Sequence, residues 1–401
     1  MKILRLRFIL NWLVLGILAI RCGSNDDEKP ISILVDAELV NTYQASLLQS
    51  VAALSGIAVD PTKIRYAVDL YKVRYRTTYQ DRSIIASGLV ALPKTTAPVS
   101  MISIQHGTIT AHSEAPSVQQ GFNESSLTIS LFASVGLITV LPDYLGFGSS
   151  ASILHPYYVE RYSASAVIDN LLAARVLAEQ KGLPFTNNLF LAGYSEGGYV
   201  TLCTHKYLET VNDQGFNLLA SFPAAGGYDI RGVQQFLFSQ TTYSSPYYLA
   251  YVAYAYQQSF RWPTPLSTFF REPYAGRIPA LFDGSKSGGQ INAQLTNTIP
   301  DLVQPDALTN FNTDPRYKEF REALEANSPI RWVPKKRMVM YHGSADEIIP
   351  VENSQQVYQQ FLDQGATTNT IELIIIPGGT HGSGVQPYSE DVINKILSII
   401  S

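Results

Sequence analysis

One stretch limits the folds open to this chain more than any other: Asn188-Leu-Phe-Leu-Ala-Gly-Tyr-Ser-Glu-Gly-Gly-Tyr-Val-Thr-Leu202. A buried apolar strand, Leu189–Ala192, runs into the turn Gly193-Tyr194-Ser195-Glu196-Gly197. A helical run begins near Glu196, with Val200, Cys203, Thr204 and Tyr207 on one side. A serine on such a turn is thrust out of the sheet with its hydroxyl exposed. Gly193 and Gly197 are needed because a β-carbon there would collide with the strand or helix beside it. The five-letter pattern arises easily by chance, and a glycine-rich loop whose serine caps a helix reads the same. The strand before it and the helix after it are what point to a nucleophile.

At 401 residues, 46% of them hydrophobic, the chain is long enough for one large domain with an elaboration. Its net charge of −4 gives no reason to expect nucleic acid or an acidic substrate as partner. The spacing of Leu39, Tyr43, Leu47, Val51 and Leu54 predicts a helix over Asp36–Ser55, packed outside the main domain. Ile64–Tyr79 and Ile84–Leu92 alternate with period two about Gln80-Asp-Arg-Ser83, which predicts an antiparallel hairpin at the edge of a sheet. From Met101 onward the pattern changes. Short apolar strands at Met101–Gln105, Leu137–Leu141, Leu189–Ala192 and Leu218–Phe222 are separated by helical runs near Ser125–Ser134 and Ser163–Gln180. That alternation implies right-handed crossovers and a parallel sheet. It breaks between Gly226 and about Pro334, in a segment rich in Tyr, Phe, Gln and Pro that exceeds an ordinary loop and reads as an inserted subdomain. The alternation resumes with Met338–Tyr341, a helix over Glu352–Gln364, a strand Ile371–Ile376 and a terminal helix near Glu390–Ile400.

A serine hydroxyl is barely ionised at neutral pH, so it needs a histidine base, and the histidine needs an acid to hold its tautomer. Of six histidines, His381 fits by position, in Pro377-Gly-Gly-Thr-His381-Gly-Ser-Gly after the last strand. Asp346, in the loop after the preceding strand, is the matching acid; Asp143 and Asp229 also follow strands and stand second. Cap or turn roles are the plain alternative for these carboxylates. The order Ser195, Asp346, His381 is the chain order of one fold in particular. Acyl transfer also places negative charge on the carbonyl oxygen, which calls for two backbone N–H donors. Glu196 supplies one, and Thr108, in the strand-ending His106-Gly107-Thr108, is placed to supply the other. Such chemistry requires no metal and no cofactor.

These motifs together resemble those of the α/β-hydrolases, from about Ile64 to the C-terminus, and among them the secretory lipases and their bacterial relatives. The matching residues are Gln105-His-Gly-Thr108 with Ala115-Pro-Ser117, Pro142-Asp-Tyr-Leu-Gly146, His155-Pro-Tyr157, Gly193-Tyr-Ser-Glu-Gly-Gly198, His342-Gly-Ser-Ala-Asp346 and Gly379-Thr-His381. The resemblance implies a mostly parallel central sheet flanked by helices, with a mainly helical cap where the Tyr-rich insertion lies. It also implies nucleophile Ser195, acid Asp346 and base His381. The expected organisation is a core in two parts, 36–225 and 335–401, with the cap at 226–334.

The first residues read as a targeting segment: Lys2, Arg5 and Arg7, then an apolar run Phe8–Ile20 too short to span a membrane. Cys22 followed by Gly23-Ser-Asn-Asp-Asp-Glu28 resembles a bacterial lipoprotein leader, although Ile20 and Arg21 stand where small residues are usual. Residues 1–22 are then leader, with Cys22 lipidated, and 23–35 a tether. The resulting expectation is an exported ester hydrolase at the outer membrane or cell surface, or otherwise periplasmic or secreted, acting on a small-molecule or lipid ester. The alternatives are a serine peptidase of the prolyl-peptidase type and a non-catalytic surface binding lipoprotein. Only Cys22 and Cys203 are present, so a lipidated Cys22 leaves no disulfide and the core alone must hold the fold.

Overall fold

In the computed structural model, which describes residues 32–55 and 59–400, the apolar runs become nine strands: β1 (Leu34–Tyr43), β2 (Val68–Tyr79), β3 (Arg82–Pro93), β4 (Val99–Gln105), β5 (Leu137–Pro142), β6 (Phe185–Tyr194), β7 (Asn217–Ala224), β8 (Arg337–Gly343) and β9 (Ile371–Ile376). They form one sheet in the order β1-β2-β3-β5-β4-β6-β7-β8-β9. The pairs β1–β2, β2–β3 and β3–β5 are antiparallel, and every pair from β5 to β9 is parallel. The expected fold class is borne out. The expected leader, with Cys22, lies outside the described residues.

Two expectations at the start of the chain need correction. The helix expected over Asp36–Ser55 begins only at Ala45, and the strand β1 occupies Leu34–Tyr43, so the core starts inside the expected tether. β1 pairs antiparallel with β2, Leu39 opposite Tyr71 and Tyr43 opposite Val68. It is an edge strand exposed at most positions, so it lacks the alternation that marks a half-buried strand, and pairing overrides a chance helical spacing. In the helix that does form, Leu48 and Ala52 are buried while Leu47 and Leu54 face solvent. The hairpin that follows is therefore not at the edge. Its turn is two residues, Gln80 and Asp81, with φ of 47° and 62°. Both lie in the left-handed region that the tightest hairpin turns require.

Strands buried on both faces read as unbroken apolar runs. In β6, Leu189 and Leu191 enter one core while Phe190, Ala192 and Tyr194 enter the other. Helices Glu160–Gln180 and Glu196–Thr210 cover the first face; Ala45–Ser55, Glu124–Ser134 and Val385–Ile400 cover the second. Because β4 lies between β5 and β6, the strand order reverses there. The connections after β4 and β6 run to opposite faces and leave a crevice at the strands' carboxyl ends.

Between β7 and β8 lie helices Ile230–Ser239, Tyr247–Phe260, Tyr274–Leu281 and Lys318–Ala326, with shorter helical turns. Tyr251, Tyr256 and Phe320 of this insertion share one core with Leu171 and Tyr199 beneath. The described residues from Ile33 onward form one compact unit. The insertion is thus a helical layer continuous with the main core.

Candidate active site

At the junction of β6 with its helix, Ser195 has φ 60° and ψ −124°. A serine holds such a conformation only where the surroundings force it. Its N–H donates to the Ala224 carbonyl at 2.9 Å. A Cβ on Gly193 would run into the Gly197 carbonyl, and one on Gly197 into the Gln105 carbonyl. The close approach of these backbones is what fixes the serine above the sheet.

His381, in the loop after β9, places Nε2 2.9 Å from Ser195 Oγ and Nδ1 2.7 Å from Asp346 Oδ2. Asp346 lies after β8, and its side chain is fully buried. Its Oδ1 accepts the N–H groups of Ile348 and Ile349, each at 2.9 Å. Burial alone would raise this carboxyl, but hydrogen bonds from His342 and His381, with that of Ile349, outweigh it and hold the group well below the usual carboxylate range. The ionised Asp346 keeps the His381 proton on Nδ1, leaving the Nε2 lone pair for the serine hydroxyl. The backbone N–H of His381 donates to Glu347 at 3.1 Å, which steadies the loop.

The second-choice carboxylates have other work. Asp143 is buried and accepts from Ser87 Oγ, Ser117 Oγ and the Ser117 N–H. Asp229 caps its helix through the Gly232 N–H at 3.0 Å. Glu196 is the first residue of the helix after Ser195, so its N–H has no intrahelical acceptor. Gly107 lies against the serine, its Cβ direction meeting Ser195 Cβ at 3.7 Å, which puts Thr108 in the same crevice. Among the described residues no cluster could hold a metal ion.

Ser195 forms part of the wall of a cavity of about 840 Å³, its open mouth included. The helical insertion supplies most of the rest, among them Leu237, Leu249, Val252, Phe269, Val303 and Phe320, and no charged residue lines it. The aromatics of the insertion divide: Tyr243, Tyr248, Phe269 and Phe270 face the cavity, whereas Tyr256 and Trp262 pack with Phe260 elsewhere.

No family model and no curated protein matches the chain. Solved structures do. A protein of Legionella pneumophila assigned as a hydrolase superposes with a TM-score of 0.82 at 26% identity, covering 91% of this chain and 97% of that one. The chain has the α/β-hydrolase fold. Within this fold, the rice cell wall degrading esterase LipA of Xanthomonas oryzae gives a TM-score of 0.78 at 24% identity over 91% and 98% of the two chains. Candida antarctica lipase A gives 0.63 at 16% over 90% and 79%.

Two histidines that drew no role from their sequence context stand at the site. His342 Nε2 donates to the Ile349 carbonyl at 2.9 Å, and its Nδ1 takes the Ser354 hydroxyl at 2.6 Å. His155 pairs with Glu196. Each lies in a motif quoted above, His342-Gly and His155-Pro-Tyr157, and that grouping was the available signal.

Proposed function

We propose that this α/β-hydrolase cleaves carboxylic esters with an extended acyl chain, through an acyl-enzyme on Ser195. His381 Nε2 takes the Ser195 proton as Oγ attacks the ester carbonyl, and Asp346 orients the imidazole and stabilises its charged form. The N–H groups of Thr108 and Glu196 receive the oxyanion. His381 passes the proton to the departing alkoxide, which leaves as the alcohol. Water, deprotonated by the same imidazole, then releases the acid.

The observation that carries this reading is the continuity of the Ser195–His381–Asp346 chain with an uncharged apolar cavity. Such a cavity suits a hydrocarbon chain and offers no countercharge for a peptide terminus, which speaks against the peptidase alternative. The esterase and lipase names of the structural neighbours point the same way. The test is a series of initial rates on p-nitrophenyl esters from acetyl to palmitoyl, with Ser195→Ala beside the parent. The expected result is hydrolysis that needs Ser195 and peaks at medium or long chains. Equal turnover by Ser195→Ala would remove the assignment.

A further inference from the structure

Two motifs, Pro142-Asp-Tyr-Leu-Gly146 and His155-Pro-Tyr157, take no part in the steps above, yet both reach the Ser195 site. His155 Nε2 lies 2.7 Å from Glu196 Oε1 and Nδ1 lies 2.6 Å from the Leu145 carbonyl. The two side chains are 5% and 1% exposed. Both ring nitrogens face oxygen acceptors, so imidazole and carboxyl must hold two protons between them. Removing either partner would strand a buried polar group. Two residues on, the Tyr157 hydroxyl lies 2.9 Å from Thr108 Oγ1. The Tyr157 ring is held in turn by stacking on Tyr251, centroids 4.4 Å apart. Tyr144 stacks on His106 at 4.1 Å and donates to the His106 carbonyl at 2.9 Å, which fixes the strand end from which Thr108 departs.

Glu196 and Thr108 carry the two N–H groups that would hold the oxyanion. They come from different elements, one opening the helix after β6 and the other in the loop after β4. Their spacing is not set by any single piece of secondary structure. A donor pair is effective only if held within about 0.5 Å of the productive position. One tripeptide reaches both: His155 grips the side chain of the first donor residue and Tyr157 that of the second.

We propose that His155 and Tyr157 are positioning residues, a clamp that sets the distance between the Glu196 and Thr108 N–H groups. The inference rests on the ester-hydrolase reading and adds a separate claim to it. Catalysis by such donors depends on geometry formed before the transition state, so loosening the clamp reduces kcat and leaves binding of the acyl chain nearly alone.

The experiment measures kcat and KM on p-nitrophenyl butyrate for Tyr157→Phe, Thr108→Val, the double variant, Glu196→Ala and Glu196→Gln, with Ser195→Ala alongside. Tyr157→Phe keeps the stacked ring and Thr108→Val keeps the N–H, so each deletes only the hydroxyl pair. The expected result is a kcat about tenfold lower in each, no further loss in the double variant, and KM within about twofold. Glu196→Ala is expected to lose about 100-fold. Glu196→Gln, whose amide can donate to a neutral His155, recovers most of that loss. Unchanged kcat in Tyr157→Phe overturns the clamp, as do losses that multiply in the double variant. A rise in KM alone also overturns it and makes Tyr157 merely a cavity wall. Failure of the parent reading looks different: Ser195→Ala would then match the parent, whatever Tyr157→Phe does.

Discussion

His342 Nε2 lies 3.3 Å from Asp346 Oδ2, the same oxygen that takes the His381 hydrogen bond at 2.7 Å. A second imidazole, itself fully buried, therefore stands behind the acid. Its Nε2 faces two acceptors, so the proton is there, and Nδ1 accepts from Ser354. His342→Ala is expected to lower kcat/KM about tenfold, because the carboxylate loses one of several donors. Asp346→Asn, which reverses the His381 tautomer, is expected to lower it about 10³–10⁴-fold. Ester hydrolysis across pH 5–9 measures both. Since the Asp346 carboxyl is held below the usual range, it stays ionised throughout, and the stability it contributes is lost only as pH falls toward that lowered value.

The cavity makes a second prediction. Ala253 lines it from the helix Tyr247–Phe260. Ala253→Phe would fill part of the space without touching Ser195, His381 or Asp346. The preferred chain length is expected to shorten, with the rate on the acetyl ester within about threefold of the parent and that on the palmitoyl ester at least tenfold lower. An unchanged chain-length profile would count against this cavity as the acyl site.

Asp169, on the helix Glu160–Gln180, bears on stability. Burial pushes its carboxyl from 3.8 up to about 6. Below about pH 3.8 the group is protonated in folded and unfolded chains alike. Between those values the folded chain holds the extra proton, so stability falls as pH rises. Above about 6 the buried charge costs on the order of 2–3 kcal/mol. Asp169→Asn is therefore expected to raise the melting temperature at pH 8 and to leave it unchanged near pH 3.5. Equal melting temperatures at pH 8 would refute this.

Export is a further proposal, motivated by the basic start, the apolar run and Cys22. In a bacterial host the full chain is expected in the membrane fraction, labelled by radioactive palmitate. Cys22→Ser would lose the label and, if cleaved elsewhere, move to the soluble exported fraction. A parent chain that takes no label would exclude lipidation.

The convergence of Ser195, Asp346 and His381 was legible because each follows an apolar strand with a glycine within three residues, and because the fold delivers the ends of β6, β8 and β9 to one crevice. β1 was not legible, since an exposed edge strand carries no burial period and its pairing with β2 is decided across the sheet. The contacts of His155 and His342 were hidden for a related reason. A buried histidine is defined by its partner, and Glu196 is 41 residues from His155 in the chain. The division of the insertion's aromatics between cavity wall and core depends on which side of a helix meets the sheet, which composition does not record.

The sequence distance between the proposed nucleophile and its base has a consequence for the life of the chain. Ser195 and His381 are 186 residues apart, and the loop bearing His381 lies beyond β9, the last strand to be made. Chains leave the ribosome N-terminus first, at about 5–20 residues per second. For many seconds after its serine is made, the nascent polypeptide has no base to activate it, and it stays inert until the C-terminal strand has docked. An esterase working as proposed would be silent during translation and, if it crosses the membrane unfolded, silent there too, so ester cleavage would first appear where the chain completes its sheet.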